Sequence, residues 1–179
     1  MRKLCLALVL MAPCLFAYGD CKEISGSFIT NLLGESGTVT INGKTLSFIN
    51  ETLGSATGDL AGALGIYLLK IEPGQNGSTL ATVHHHWVTT AGDTLFLSEA
   101  TGTFYQIGSF AGVLAVADND YVVPILSGTG RFANATGQII TIGALDTVNG
   151  VAVGRYHGTI CFNQQNQQWR LTMRSDGPF

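Results

Sequence analysis

Short runs of Val, Ile, Thr, Phe and Tyr, each stopped by a glycine or proline turn, recur through most of this sequence. A chain written this way has little choice but to fold as antiparallel strands. The sharpest instance is Asn42-Gly43 between residues 38–41 and 44–48, because a two-residue hairpin turn needs positive φ at both positions. Further strands are expected over residues 64–71 and 79–90, joined by Pro73-Gly74-Gln75-Asn76-Gly77. Residues 95–107 follow the turn at Ala91-Gly92-Asp93-Thr94, and residues 110–117 form another strand. A last hairpin runs over 138–146, turns near Asn149-Gly150 and returns through 151–162. The chain has 23 glycines and 4 prolines, and no window beyond the first residues carries a sustained helical period. Seven or eight strands with short turns predict an all-β sandwich or barrel.

The first 19 residues are expected to leave before folding. Met1-Arg2-Lys3 is a positive start, residues 4–17 an apolar run, and Ala17-Tyr18-Gly19 a small-x-small cleavage site, which together read as a secretory signal peptide. The run is short for a transmembrane helix. Residues 20–162 then form one domain, and the Gln/Asn-rich residues 163–179 a loosely attached polar tail. Removing Arg2 and Lys3 from 9 basic residues leaves 7 against 12 acidic ones, a net −5. That balance offers nucleic acid no basic footprint. At 12% charged and 46% hydrophobic the composition also argues against disorder.

Cys5 and Cys14 lie in the export segment, leaving Cys21 and Cys161. In a secreted or periplasmic protein an even, widely spaced pair reads as a disulfide, with two free thiols as the alternative. Neither Cys14 nor Cys21 follows a small residue (Pro13 and Asp20 precede them), which excludes a lipoprotein anchor. Asn50-Glu51-Thr52, Asn76-Gly77-Ser78 and Asn134-Ala135-Thr136 are glycosylation sequons, relevant only in a eukaryotic source.

Alternation along the strands is imperfect. Leu68, Leu69 and Ile71, like Ile139, Ile140 and Ile142, put apolar groups on both faces, where a barrel with a wet exterior should alternate. Self-association over the outer face is the expected remedy. A membrane barrel would need longer strands and aromatic girdles.

One segment is more specific than any pattern. Pro124-Ile125-Leu126-Ser127-Gly128-Thr129-Gly130-Arg131-Phe132-Ala133-Asn134-Ala135-Thr136-Gly137 resembles the P-x-x-G-G-[TS]-G-x-F-x-x-A-x-G segment of allene oxide cyclase and dirigent barrels, with Ser127 in place of the first glycine. Ala63-Leu64-Gly65-Ile66-Tyr67 and Gly77-Ser78-Thr79-Leu80 are similar to further dirigent segments. The resemblance implies a single antiparallel eight-stranded β-barrel around a hydrophobic cavity. It also implies a small apolar ligand that the barrel cyclises, isomerises or guides in coupling, no cofactor, and a homo-oligomer, often a trimer. By itself the segment reads as a tight connection whose Phe132 plugs a core.

The polar residues that could carry chemistry are few. In the strand His84-His85-His86, the outer two share one face and His85 takes the other. A two-residue turn at Gly92-Asp93 would set His86 opposite Glu99 and His84 opposite Thr101. That group reads as a divalent-metal shell using His84 and His86, as a proton-transfer pair, or as a cross-strand ion pair without function. Cupins also carry His-x-His on a strand, but their following glutamate falls here at Thr90 or Ala91, which counts against a cupin. Arg155 and His157 share a face of the last strand, with Tyr156 on the other. An inward Arg155 would suit an acidic ligand, and an outward one is a surface charge. Tyr67 and Tyr105 could donate from a pocket wall. The expectation is therefore a barrel that holds a small apolar molecule, with His86, Glu99 and Arg155 handling protons or charge and His84, Tyr67, Tyr105 and His157 lining the site. A non-catalytic binding or structural module, or a metal-dependent enzyme using His84 and His86, are the alternatives. No Gly-x-Ser-x-Gly elbow, Cys-x-x-Cys pair or dinucleotide fingerprint supports hydrolase, redox or nucleotide chemistry.

Overall fold

Pairing of first strand with last is what closes this molecule. The structure, a computed structural model, describes residues 20–108 and 112–162. The expected signal peptide and polar tail lie outside the described residues, as do residues 109–111. Twelve strands are described: β1 (Asp20–Leu32), β2 (Gly37–Ile41), β3 (Lys44–Phe48), β4 (Asn50–Ala56), β5 (Gly62–Pro73), β6 (Thr79–Thr89), β7 (Thr94–Leu97), β8 (Ala100–Gln106), β9 (Val113–Val116), β10 (Val122–Gly128), β11 (Thr136–Asp146) and β12 (Val151–Phe162). All pairings are antiparallel, from Asp20 opposite Phe162 along the whole of β1 and β12. β7 with β8, and β9 with β10, each act as one broken stave. β6 pairs with β7 toward one end and with β8 toward the other, and β11 likewise with β10 and β9. Among the described residues the ring thus has eight staves and closes on itself through β1 and β12.

The expected eight-stranded barrel is therefore present, but two of its members differ from the expectation. The Asn42-Gly43 hairpin forms, with both residues at positive φ and Ile41 opposite Lys44, yet β2 and β3 make a separate two-stranded sheet outside the ring. Their places are taken by β1 and β4, whose Ser, Gly and Thr content weakens the strand signal.

The hairpin also answers part of the two-faced apolar pattern. It lies against the outer wall, where the Phe48 ring meets Tyr67 of β5 at 5.2 Å between centroids and Lys44 Nζ reaches Glu99 Oε1 at 2.5 Å. A bulge answers another part. Leu68 faces Val83 and Lys70 faces Thr82, so Leu69 is the extra residue and the alternation resets by one. Leu68 and Ile71 consequently line the interior together.

The two ends of the barrel are filled differently. At the end where β1 begins and β12 finishes, Ile24, Leu95, Leu97, Ile125, Phe132, Ile139 and Ile160 pack into a solid core. The 3-10 turn Gly58–Leu60 plugs this end: Leu60 N–H donates to Tyr156 Oη at 2.8 Å, Trp87 Nε1 donates to Leu60 O at 2.8 Å, and Tyr156 Oη donates to Thr57 O at 2.7 Å. Trp87 and Tyr156 meet edge-on at 5.0 Å. Their apolar bodies and polar tips are both satisfied, which buried aromatics of this kind require. The glycine-rich segment closes the same end, with Phe132 only 2% exposed. Gly130 has φ +51 and lies against the Asp93 carboxylate, so a side chain there would meet both strain and collision. Cys21 and Cys161 stand directly opposite each other here and form a disulfide.

Candidate functional site

The other half of the barrel is hollow. A cavity of about 360 Å3 occupies it, walled by Phe28, Leu64, Ile66, Leu68, Val83, Phe104, Leu114 and Val116, with Trp87 from the plugged end as part of its floor. Its position follows from the sequence of β6, where odd-numbered residues from Thr79 to Trp87 face inward and include the small Ala81. Opposite, β11 and β12 contribute Gly143 and Ala152. Small residues on these facing walls leave the middle unfilled.

The polar groups at this wall are specific. His85 faces inward, 5% exposed, and its Nε2 lies 3.2 Å from Tyr121 Oη. Burial pushes the His85 pKa down to about 3, helped by the neighbouring His84, and burial raises that of Tyr121. Both are therefore neutral at physiological pH, and the pair can share one proton between phenol and imidazole. His85 Nδ1 has no partner. Asn50 and Thr52, alternate residues of β4, also line the cavity, and Asn50 Oδ1 and Thr52 Oγ1 are buried without partners. Thr52 stands opposite Ile66, which stands opposite His85, so the two polar positions lie in one row with a single stave between them.

The residues nominated from sequence lie elsewhere. His84 and His86 face outward from β6, on the face opposite to His85. His84 is paired across the strands with Tyr67, is 7% exposed, and has neither ring nitrogen partnered. Burial lowers its pKa, opposed by Glu99 and aided by Lys44 and His86, and burial also lowers that of His86. Tyr67, His84, His86 and Glu99 are thus gathered on one outer patch. The expected register is corrected: His86 stands opposite Phe96, not Glu99, and Thr101 opposite Thr82, not His84. The turn is longer than two residues, with Thr89 N–H donating to Asp93 O at 2.9 Å, and a break at Ser98-Glu99 shifts the rest. Glu99 bonds to Lys44 instead. Among the described residues no group of three or more His, Cys, Asp or Glu comes together in a metal-binding arrangement.

Arg155 and His157 face outward on β12, both exposed, and His157 Nε2 lies 2.8 Å from Asp118 Oδ1. Tyr105 is 44% exposed on the outer face of β8. Alternation alone separates His85 from His84 and His86, which the sequence reading placed at the site. It does not choose between the two faces, because a run of three histidines looks alike from either side. Asn50 and Thr52 carried no signal beyond their place in a sequon.

No family model and no curated protein matches the sequence. Among solved structures, the pterocarpan synthase dirigent protein GePTS1 aligns with 82% of this chain and 87% of its own, at 13% identity and a TM-score of 0.34. The pterocarpan synthase dirigent protein PsPTS1 aligns with 82% of this chain and 98% of its own, at 13% identity and a TM-score of 0.35. From its own strand pairing, the chain is a closed eight-stranded antiparallel barrel, the fold that the resemblance of its glycine segment to allene oxide cyclase and dirigent proteins implies.

Proposed function

We propose that this protein is exported and binds a small, mostly apolar molecule in the hollow half of its barrel. The observation that carries the reading is the cavity of about 360 Å3, a size in the range of small-molecule sites, walled by aliphatic and aromatic groups with a few converging polar atoms. The disulfide supports export, since such a bond persists in oxidising compartments. Among the described residues no helix is long and apolar enough to cross a membrane. Apolar outward groups such as Ile29 and Leu53, 50% and 55% exposed, favour self-association through the wall that the hairpin leaves bare.

A second reading, cyclisation or isomerisation of the bound molecule, is favoured by the His85–Tyr121 pair. The cavity would hold one conformer while the pair moved a proton at the reacting atom. His86, Glu99 and Arg155 stand outside this cavity, and in both readings they serve the outer wall.

Native mass spectrometry of the mature chain, purified without denaturant or histidine tag, tests the binding reading. The expected result is an excess of a few hundred daltons per subunit, or saturable uptake of an apolar fluorescent probe by the empty protein. Ala81→Phe, which fills the cavity from β6, should abolish either signal while the chain stays folded. A bare mass together with no saturable uptake would leave a structural module.

A further inference from the structure

The wall of the cavity carries no formal charge, and the inference drawn from that rests on the binding reading above. None of the described residues lining it is an acid, a lysine or an arginine. Its titratable members, His85 and Tyr121, are bonded to each other. The cation that an acidic ligand would need is absent from the wall, since Arg155 is outward and exposed. A carboxylate brought in here would give up its hydration and receive no counter-charge, which is strongly unfavourable for a buried ion. An ammonium fares no better, with no carboxylate to meet it.

What the wall does offer is unfilled acceptor capacity. Asn50 Oδ1 and Thr52 Oγ1 are buried without partners on the same inward face of β4. Buried acceptors are a cost to the empty protein that a donor on the ligand offsets. The Asn50 amide and Thr52 hydroxyl can reorient about their side-chain torsions without moving the strand. Across the row from Thr52 through Ile66 to His85, two strand spacings put the second polar position roughly 10 Å away around the wall. The remaining polar members of the lining are Tyr121, bonded to His85, and the threonines Thr79, Thr141 and Thr147, none of whose hydroxyls is a buried orphan.

We infer that the barrel takes an uncharged apolar molecule bearing a hydroxyl or amide N–H, seated with that donor against Asn50 and Thr52. Asn50 and Thr52 then set specificity, and the absence of a cation excludes acids of the same size.

Three naphthalenes of near-equal size separate these claims at pH 7: 2-naphthol (neutral donor), 2-methoxynaphthalene (neutral, no donor) and 2-naphthoate (anion). Dissociation constants are read by titration calorimetry on the mature, disulfide-intact protein. 2-Naphthol should bind at least about tenfold more tightly than 2-naphthoate and several-fold more tightly than the methyl ether. Asn50→Leu with Thr52→Val should remove the advantage of naphthol over the ether, so that the two bind alike. Thr52→Val alone, a near-isosteric change, serves if the double variant does not fold. Naphthoate binding as tightly as naphthol overturns charge selection. Equal binding of naphthol and ether, or an advantage that survives the substitutions, overturns the role of Asn50 and Thr52. Binding of none of the three removes the binding reading itself, a result distinct from the other two.

Discussion

His85 is neutral because its surroundings contain nothing to stabilise an imidazolium. Its folded pKa is pushed down to about 3 from an ordinary 6.5. Between those values the unfolded chain takes up a proton that the folded chain refuses. Stability is therefore full above about pH 6.5 and falls as pH drops through this window, by about 2 kcal/mol at pH 5 for one such histidine. His84 and His86, shifted in the same direction, add to the trend. In urea unfolding at pH 7.5 and 5.0, the wild type should lose midpoint, and His85→Phe should lose clearly less. Equal losses would mean that His85 is protonated without cost. Tyr156 acts on a different principle, since its hydroxyl accepts from Leu60 and donates to Thr57. Tyr156→Phe orphans both groups and should cost about 1–3 kcal/mol by thermal or chemical denaturation.

The bulge at Leu69 explains how two stretches of β5 with opposite parity can share one interior. A reader of the sequence sees Leu68, Leu69 and Ile71 and finds no clean alternation, because alternation assumes one residue per step. The strong signals were local ones: the Asn42-Gly43 turn, the β11–β12 hairpin, the plugging Phe132. What was illegible depended on pairing between distant segments. β1 and β4 become staves because β12 and β5 receive them, and β2–β3 leaves the ring because its apolar face, with Ile41, Leu46 and Phe48 buried, is spent on the outer wall. The candidate site was half legible for the same reason. Alternation separated His85 from its neighbours, but only closure of the ring tells which side is inside. The hairpin is held by packing more than by charge. Phe48→Ala should destabilise by about 2–4 kcal/mol, whereas Lys44→Met, breaking a largely exposed ion pair, should change stability by less than about 1 kcal/mol. Denaturation midpoints of the two variants check this contrast.

As a whole, the molecule is solid at one end and hollow at the other, and its covalent cross-link belongs to the solid end. Cys21→Ser with Cys161→Ser should lower stability by roughly 2–5 kcal/mol, measured as a fall in melting temperature, while the cavity stays intact. Several exposed apolar side chains belong to the other end. Ile71 and Val153 border the cavity, and Leu33, Ile49 and Val148 lie in the adjoining turns. On the binding reading, an apolar rim leading into an apolar chamber would let a poorly soluble molecule enter without crossing a polar barrier. The seam between β1 and β12 carries one more consequence, for the order of events during synthesis. The first stave to leave the ribosome can pair with β4 at once, but its other edge must wait for the last stave, with the cysteines 140 residues apart in the chain. Throughout elongation that edge is exposed to any other strand it meets, and the growing sheet cannot become a tube until β12 arrives. Closure is thus a final act in which the molecule acquires its inside, and anything it is to carry must be admitted at that moment or through the hollow end afterwards.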